Sequence, residues 1–134
     1  EFKPLNIVTM NVRPIILLSE YQALRELIKR NPKEGHQLSE ELDRAIVIKE
    51  EELNKKIIRI GSEVEFEVLK TKHKMKIQLV MPEESNLKIQ KISIFAPLGT
   101  ALIGFSENDE VEWEMPGGKM TLKILKVSNE HLVE

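Results

Sequence analysis

Phe95-Ala-Pro-Leu-Gly-Thr-Ala-Leu-Ile-Gly104 and the run Val111-Glu-Trp-Glu-Met-Pro-Gly-Gly-Lys-Met-Thr-Leu-Lys-Ile124 decide how this chain folds. In the first, Pro97 stands where a helix's first residue loses nothing by lacking an N–H. Leu98, Ala101, Leu102 and Phe105 then share one face at helical spacing. Gly104 is placed to end the helix in a left-handed conformation. In the second, apolar and polar residues alternate on both sides of Gly117-Gly118, which reads as a hairpin. With the two glycines at the centre of a two-residue turn, Met115 faces Met120, Trp113 faces Leu122 and Val111 faces Ile124. Glu112 then meets Lys123, and Glu114 meets Thr121. A slip by one residue would mix the two faces. Pro116 removes one ladder donor, which is tolerable at a strand end.

Upstream, the same period of two recurs. Val64, Phe66 and Val68 alternate with Glu63, Glu65 and Glu67, and Met75, Ile77, Leu79 and Met81 with Lys74, Lys76 and Gln78. These read as half-buried antiparallel strands whose Glu and Lys rows face each other. Pro82 to Asn86 is a turn. Leu87 and Ile89 lie in one phase and Ile92 and Ile94 in the other, so a bulge or break near Gln90-Lys91 is expected.

The N-terminal part has helical spacing instead. Pro14 to Leu18 is a short apolar run able to pair as a strand. Ser19 is a potential N-cap, with Gln22 completing a capping box. Tyr21, Leu24, Leu27 and Ile28 share a face, and Asn31-Pro32 stops the helix. A second helix is expected from about Leu38-Ser39, with Leu42, Ala45 and Ile46 as its stripe and Glu40 and Glu41 in its first turn. Each helix has about 10–11 residues on this reading, and the short connection makes them an antiparallel hairpin with Lys33, Glu34 and His36 at its tip. Glu50 to Leu53 is another helical turn or a loop. The predicted architecture is α+β: a short helical hairpin over residues 14–56, then a sheet with one short helix over 57–134. Residues 1–13 form an N-terminal extension. The chain opens Glu1-Phe2, so Met10 is one candidate start with residues 1–9 expression-derived; alternatively Leu5 to Val8 is an edge strand.

Of 134 residues, 41% are hydrophobic and only 4% aromatic, which predicts an aliphatic core. The net charge of -2 argues against a bulk basic surface, and so against sequence-specific nucleic-acid binding. Without Cys there are no disulfides or thiolate metal sites, which fits a reducing, cytoplasmic setting. No apolar run approaches the ~20 residues of a membrane helix. His36, His73 and His131 lack metal-ligand spacing. Ser93 and Ser106 lack a nucleophile frame. Gly117-Gly118 lies between strands, not before a helix. The carboxylates at 34, 40, 41, 43 and 50–52 read as solvated helix faces. No catalytic, cofactor-binding or metal residue is assigned, and no enzyme. Lys70, Lys72, Lys74 and Lys76, with Lys55, Lys56 and Arg59, make a positive sector. It reads as a solvated strand face or a docking patch for an acidic protein surface.

Ile92-Ser-Ile-Phe-Ala-Pro97, Leu102-Ile-Gly104, Asn108-Asp-Glu-Val111 and Pro116-Gly-Gly118 resemble, in order and spacing, the C-terminal domain of the Gre transcription elongation factors. Ile60-Gly-Ser-Glu-Val64 resembles that domain's opening strand, so the likeness covers about residues 57–128. Leu42-Asp-Arg-Ala45 and Ile15-Ile-Leu-Leu18 are similar to Rnk, the family's short branch. The resemblance implies an FKBP-like sheet domain that docks on bacterial RNA polymerase at the rim of its secondary channel. Phe95, Ala96, Pro97, Leu98 and Gly99 are its contact candidates. Gre factors also carry a long coiled coil whose acidic tip helps bind the catalytic Mg²⁺ for transcript cleavage. Arms of about ten residues imply polymerase binding without cleavage, and competition with Gre factors. A prolyl isomerase, suggested by the FKBP-like fold, and a general interaction module are the alternatives.

Overall fold

The computed structural model describes residues 13–53, 56–115, 117–129 and 132. The expectations for Leu5 to Val8, Lys55, Pro116 and His131 fall outside them. Strand β1, Ile15–Leu17, runs straight into helix α1, Leu18–Arg30. The expected Ser19 cap is not used. Leu17 is the N-cap, with no side-chain bond, because the extended end of β1 already supplies the non-helical φ/ψ that a cap residue needs. Leu24 and Ile28 form the buried stripe, and Lys29 and Arg30 complement the helix dipole in the last turn. Asn31 ends the helix, its Nδ2 donating to the Leu27 carbonyl at 2.9 Å.

Helix α2 is His36–Asp43, starting earlier than the apolar spacing suggests. Glu40 and Glu41 therefore lie in its second half. The arms are unequal, 13 residues against 8. Ile46 does not prolong the α2 stripe. It opens strand β2, Ile46–Ile48, which pairs parallel with β1, Ile15 opposite Ile46 and Leu17 opposite Ile48. The arm thus leaves and returns at adjacent points. Glu50–Glu52 is a single 3-10 turn.

The remaining strands are β3, Glu63–Val68; β4, His73–Val80; β5, Lys91–Ser93; β6, Glu110–Met115; and β7, Gly118–Ser128. They form one sheet in the order β5-β4-β3-β7-β6. It is mostly, not wholly, antiparallel, because β5 runs parallel to β4. The crossover that this requires contains two 3-10 turns, Pro82–Glu84 and Leu87–Ile89. The expected break is at Gln90, which adopts φ 59. The residues before it are not strand, however, and Leu87 and Ile89 stand exposed.

The β6–β7 hairpin keeps the expected faces but not the expected partners. Trp113 pairs with Met120, Val111 with Leu122, and Met115 with Gly118. This is a shift of two, which side-chain alternation cannot detect.

Helix α3, Pro97–Leu102, covers the sheet. Phe66, Leu79, Ile94, Leu102, Leu122 and Ile124 are buried in one cluster that also takes in Leu24, Leu38 and Leu42 of the arm. On the opposite face Lys74, Glu67, Lys123 and Glu110 lie side by side across β4, β3, β7 and β6.

Candidate functional site

The segment from β5 into α3 is held by local bonds. The Phe95 N–H donates to Ser93 Oγ at 2.9 Å, and the Ala96 N–H to the Ser93 carbonyl at 3.0 Å. Thr100 is buried, and its Oγ1 donates to the Ile94 carbonyl at 2.9 Å. Pro97 opens the helix, as its chemistry dictates. Gly99 lies so close to β5 that a Cβ there would sit 2.2 Å from the Ser93 carbonyl oxygen. Gly104 has φ +86, and its N–H reaches the Ile58 carbonyl while its carbonyl accepts from Ile15.

Of the five contact candidates, Pro97 is exposed, Phe95 and Ala96 are half-buried, and Leu98 and Gly99 are buried. The first three offer surface, and the last two fix its shape. Beside Pro97 a cleft of about 340 Å³ opens between α2 and α3, walled by Glu40, Glu41, Arg44, Glu110 and Glu112. Burial pushes the Glu41 carboxyl above its usual range, opposed by Arg44, whose Nε lies 3.4 Å away. That separation is an ion pair without a directed hydrogen bond to Glu41 Oε1.

At the far end of the arm, Lys33 and Glu34 are exposed in the turn between the helices. His36 is exposed as well, its Nε2 3.4 Å from Glu40. Through Glu40, His36 borders the cleft beside Pro97, whereas Lys33 and Glu34 are not among the residues lining it. Among the described residues no group of three or more His, Cys, Asp or Glu is placed to hold a metal ion, and no helix is long and apolar enough to cross a membrane.

Arg25 clasps the two arms together. It donates to Tyr21 Oη at 3.1 Å, Ser39 Oγ at 3.0 Å and Asp43 Oδ1 at 2.6 Å. The arm is tied to the sheet by Arg59, which donates to Glu20 at 3.0 Å with both side chains largely buried. Burial raises the Glu20 carboxyl above its usual range, and Arg59 partly offsets this. The expected positive sector is thereby divided. Arg59 turns inward, Lys56 lies 3.5 Å from Glu107, and Lys74 and Lys76 stand opposite Glu67 and Glu65. Sequence reading missed the cleft, the Glu20–Arg59 tie and the display of Leu87 and Ile89. Neither spacing nor composition signals a tie across 39 residues.

Residues 53–129 match the family described as "Transcription elongation factor, GreA/GreB, C-term". Over 109 residues the chain is 35% identical to transcription elongation factor GreA of Bartonella tribocorum, covering 81% of this chain and 69% of that protein. It is 30% identical over 122 residues to the regulator of nucleoside diphosphate kinase of Escherichia coli K12, covering 86% and 90%. A solved GreA/GreB elongation factor from Nitrosomonas europaea superposes with a TM-score of 0.67 at 30% identity, over 88% of this chain and 99% of that one. The shared fold, the extent of these matches and the Pro97 and Gly104 signatures agree: the chain belongs to the GreA/GreB family of transcription elongation factors.

Proposed function

We propose that this chain is a transcription regulator that binds bacterial RNA polymerase at the rim of the secondary channel, does not stimulate transcript cleavage, and competes there with longer-armed Gre factors. The observation that carries this reading is the length of the arm. Helices of 13 and 8 residues reach roughly 20 and 12 Å at the standard rise. The turn between them carries one carboxylate, Glu34. Delivering a pair of acidic groups deep into a channel needs a far longer arm. Relatedness to GreA and to the E. coli regulator supports polymerase as the partner. The rim contact is assigned to Phe95, Ala96 and Pro97, held in shape from beneath by Leu98 and Gly99. Residues 57–134 form the docking, FKBP-like unit, acting in the cytoplasm without reading nucleic-acid sequence.

A prolyl isomerase is disfavoured by the cleft beside Pro97. Half of its lining residues are charged and Phe105 is its aromatic lining residue, whereas a proline pocket is apolar. A general interaction module would bind a partner other than polymerase.

The test is co-purification with core RNA polymerase. The expected result is binding that added GreA displaces, with no cleavage of the transcript in stalled complexes. Absence of binding at micromolar concentrations would sink the reading, and robust cleavage would overturn the argument from arm length.

A further inference from the structure

Leu87 and Ile89 are 75% and 60% exposed, the most open large apolar side chains among the described residues. The turn that carries them is built. Asn86 and Lys91 exchange two backbone hydrogen bonds at 2.9 Å and close the residues between them into a ring. Asn86 Oδ1 accepts from the Lys88 N–H at 3.1 Å. Gln90 takes a left-handed φ of 59, and its N–H reaches the Leu87 carbonyl at 3.1 Å. The same ring occupies the N–H and C=O of Lys91 on β5, the edge strand. An incoming strand therefore cannot pair at Lys91, and recognition here must be by side chains. Charged residues are the usual cover for a sheet edge. Here two bare aliphatic residues sit together on one fixed turn, an apolar spot that a partner can cover.

We propose that Leu87 and Ile89, which precede edge strand β5 as Phe95 to Pro97 follow it, form a second, apolar contact with RNA polymerase. This rests on the polymerase-binding reading above. Continuity selects the partner. Only β5 and its two flanking residues separate Ile89 from Phe95, a span of at most about 20 Å, so one partner surface can cover both. Ile92 and Phe95, half-buried, and Pro97, exposed, carry the apolar character along that edge. A second copy of this chain is the weaker occupant. A stable pair buries about 800 Å² per partner, more than two side chains on one turn supply, so this turn must extend a larger interface.

The experiment measures binding of the full chain to core RNA polymerase. Leu87→Ser combined with Ile89→Ser is expected to weaken binding at least about tenfold, with thermal unfolding unchanged because both side chains are exposed. Leu87→Met combined with Ile89→Met keeps the apolar surface and is expected to bind within about threefold of the parent. Parent-like affinity in the serine variant overturns the proposal while leaving the polymerase reading intact. If the parent chain itself does not bind, the polymerase reading fails, and this partner with it. A dimer in sedimentation that the serine variant converts to monomer assigns the turn to a second copy, and also overturns it.

Discussion

At Gly99 there is no room for a methyl group: the Cβ of an alanine would overlap the Ser93 carbonyl oxygen and crowd Leu79. Gly99→Ala should therefore cost about 2–4 kcal/mol in urea unfolding, in the range of other severe steric insertions. It should also displace the Phe95–Pro97 surface and, on the proposed docking, weaken polymerase binding. A stability loss below half a kcal/mol would show that β5 and α3 can separate freely. Glu41 gives a prediction in pH. Its folded carboxyl titrates above the ordinary value of 4.5, because burial outweighs the attraction of Arg44, and Glu40 adds repulsion. A raised folded value means that the stabilising contribution is complete below the unfolded value and is lost as pH rises through the folded one. Glu41→Gln should thus be as stable as the parent or more stable at pH 7, with that advantage gone below pH 4.5. Denaturant titrations at the two pH values check it, and a variant clearly weaker at pH 7 would refute it.

On the scale of elements, the outer face of the sheet is a charge row. Glu67 on β3 lies between Lys74 and Lys123, and Lys123 between Glu67 and Glu110. Glu67→Lys places three like charges abreast and should destabilise by about 1–2 kcal/mol at low salt. Most of that loss should return at 1 M salt, where the Debye length is about 3 Å; an effect insensitive to salt would point to packing instead. These strands were legible because alternating Glu or Lys with Val, Ile and Phe leaves a period of two that survives folding. The same period explains what was not legible. A hairpin moved by two residues keeps its faces, so Trp113 could be assigned to Leu122 when its partner is Met120. Leu87 and Ile89 fit a strand pattern equally well whether buried or displayed. The pairings β1–β2 and β4–β5 join residues whose proximity is set by tertiary packing. Pro97 announced its helix through backbone chemistry, but the burial of Leu98 and Gly99 depends on where β5 passes.

At the scale of the whole molecule, arm and sheet share one core, tied further by Glu20–Arg59 and by the bonds from Gly104 to Ile15 and Ile58. They should unfold as one unit. Leu38→Ala, deep under the arm, is expected to cost about 2–5 kcal/mol. It should shift the Trp113 fluorescence and far-ultraviolet transitions together. Two separated transitions would show an arm that melts by itself. The parallel pair β1 and β2 has a further meaning for such a design. Because the chain leaves the β1–β2 pair after Leu17 and returns to it at Ile46, side by side, the arm's grip on the sheet is complete by Ile28 and Leu38, the buried apolar side chains nearest its tip. Turns of helix could be added symmetrically around the 32–35 bend, beyond Ile28 and Leu38, without altering one residue that grips the sheet. Reach is therefore a variable that can grow without disturbing the sheet: on the proposed docking, a longer arm would reach in where this short one would occupy the entrance.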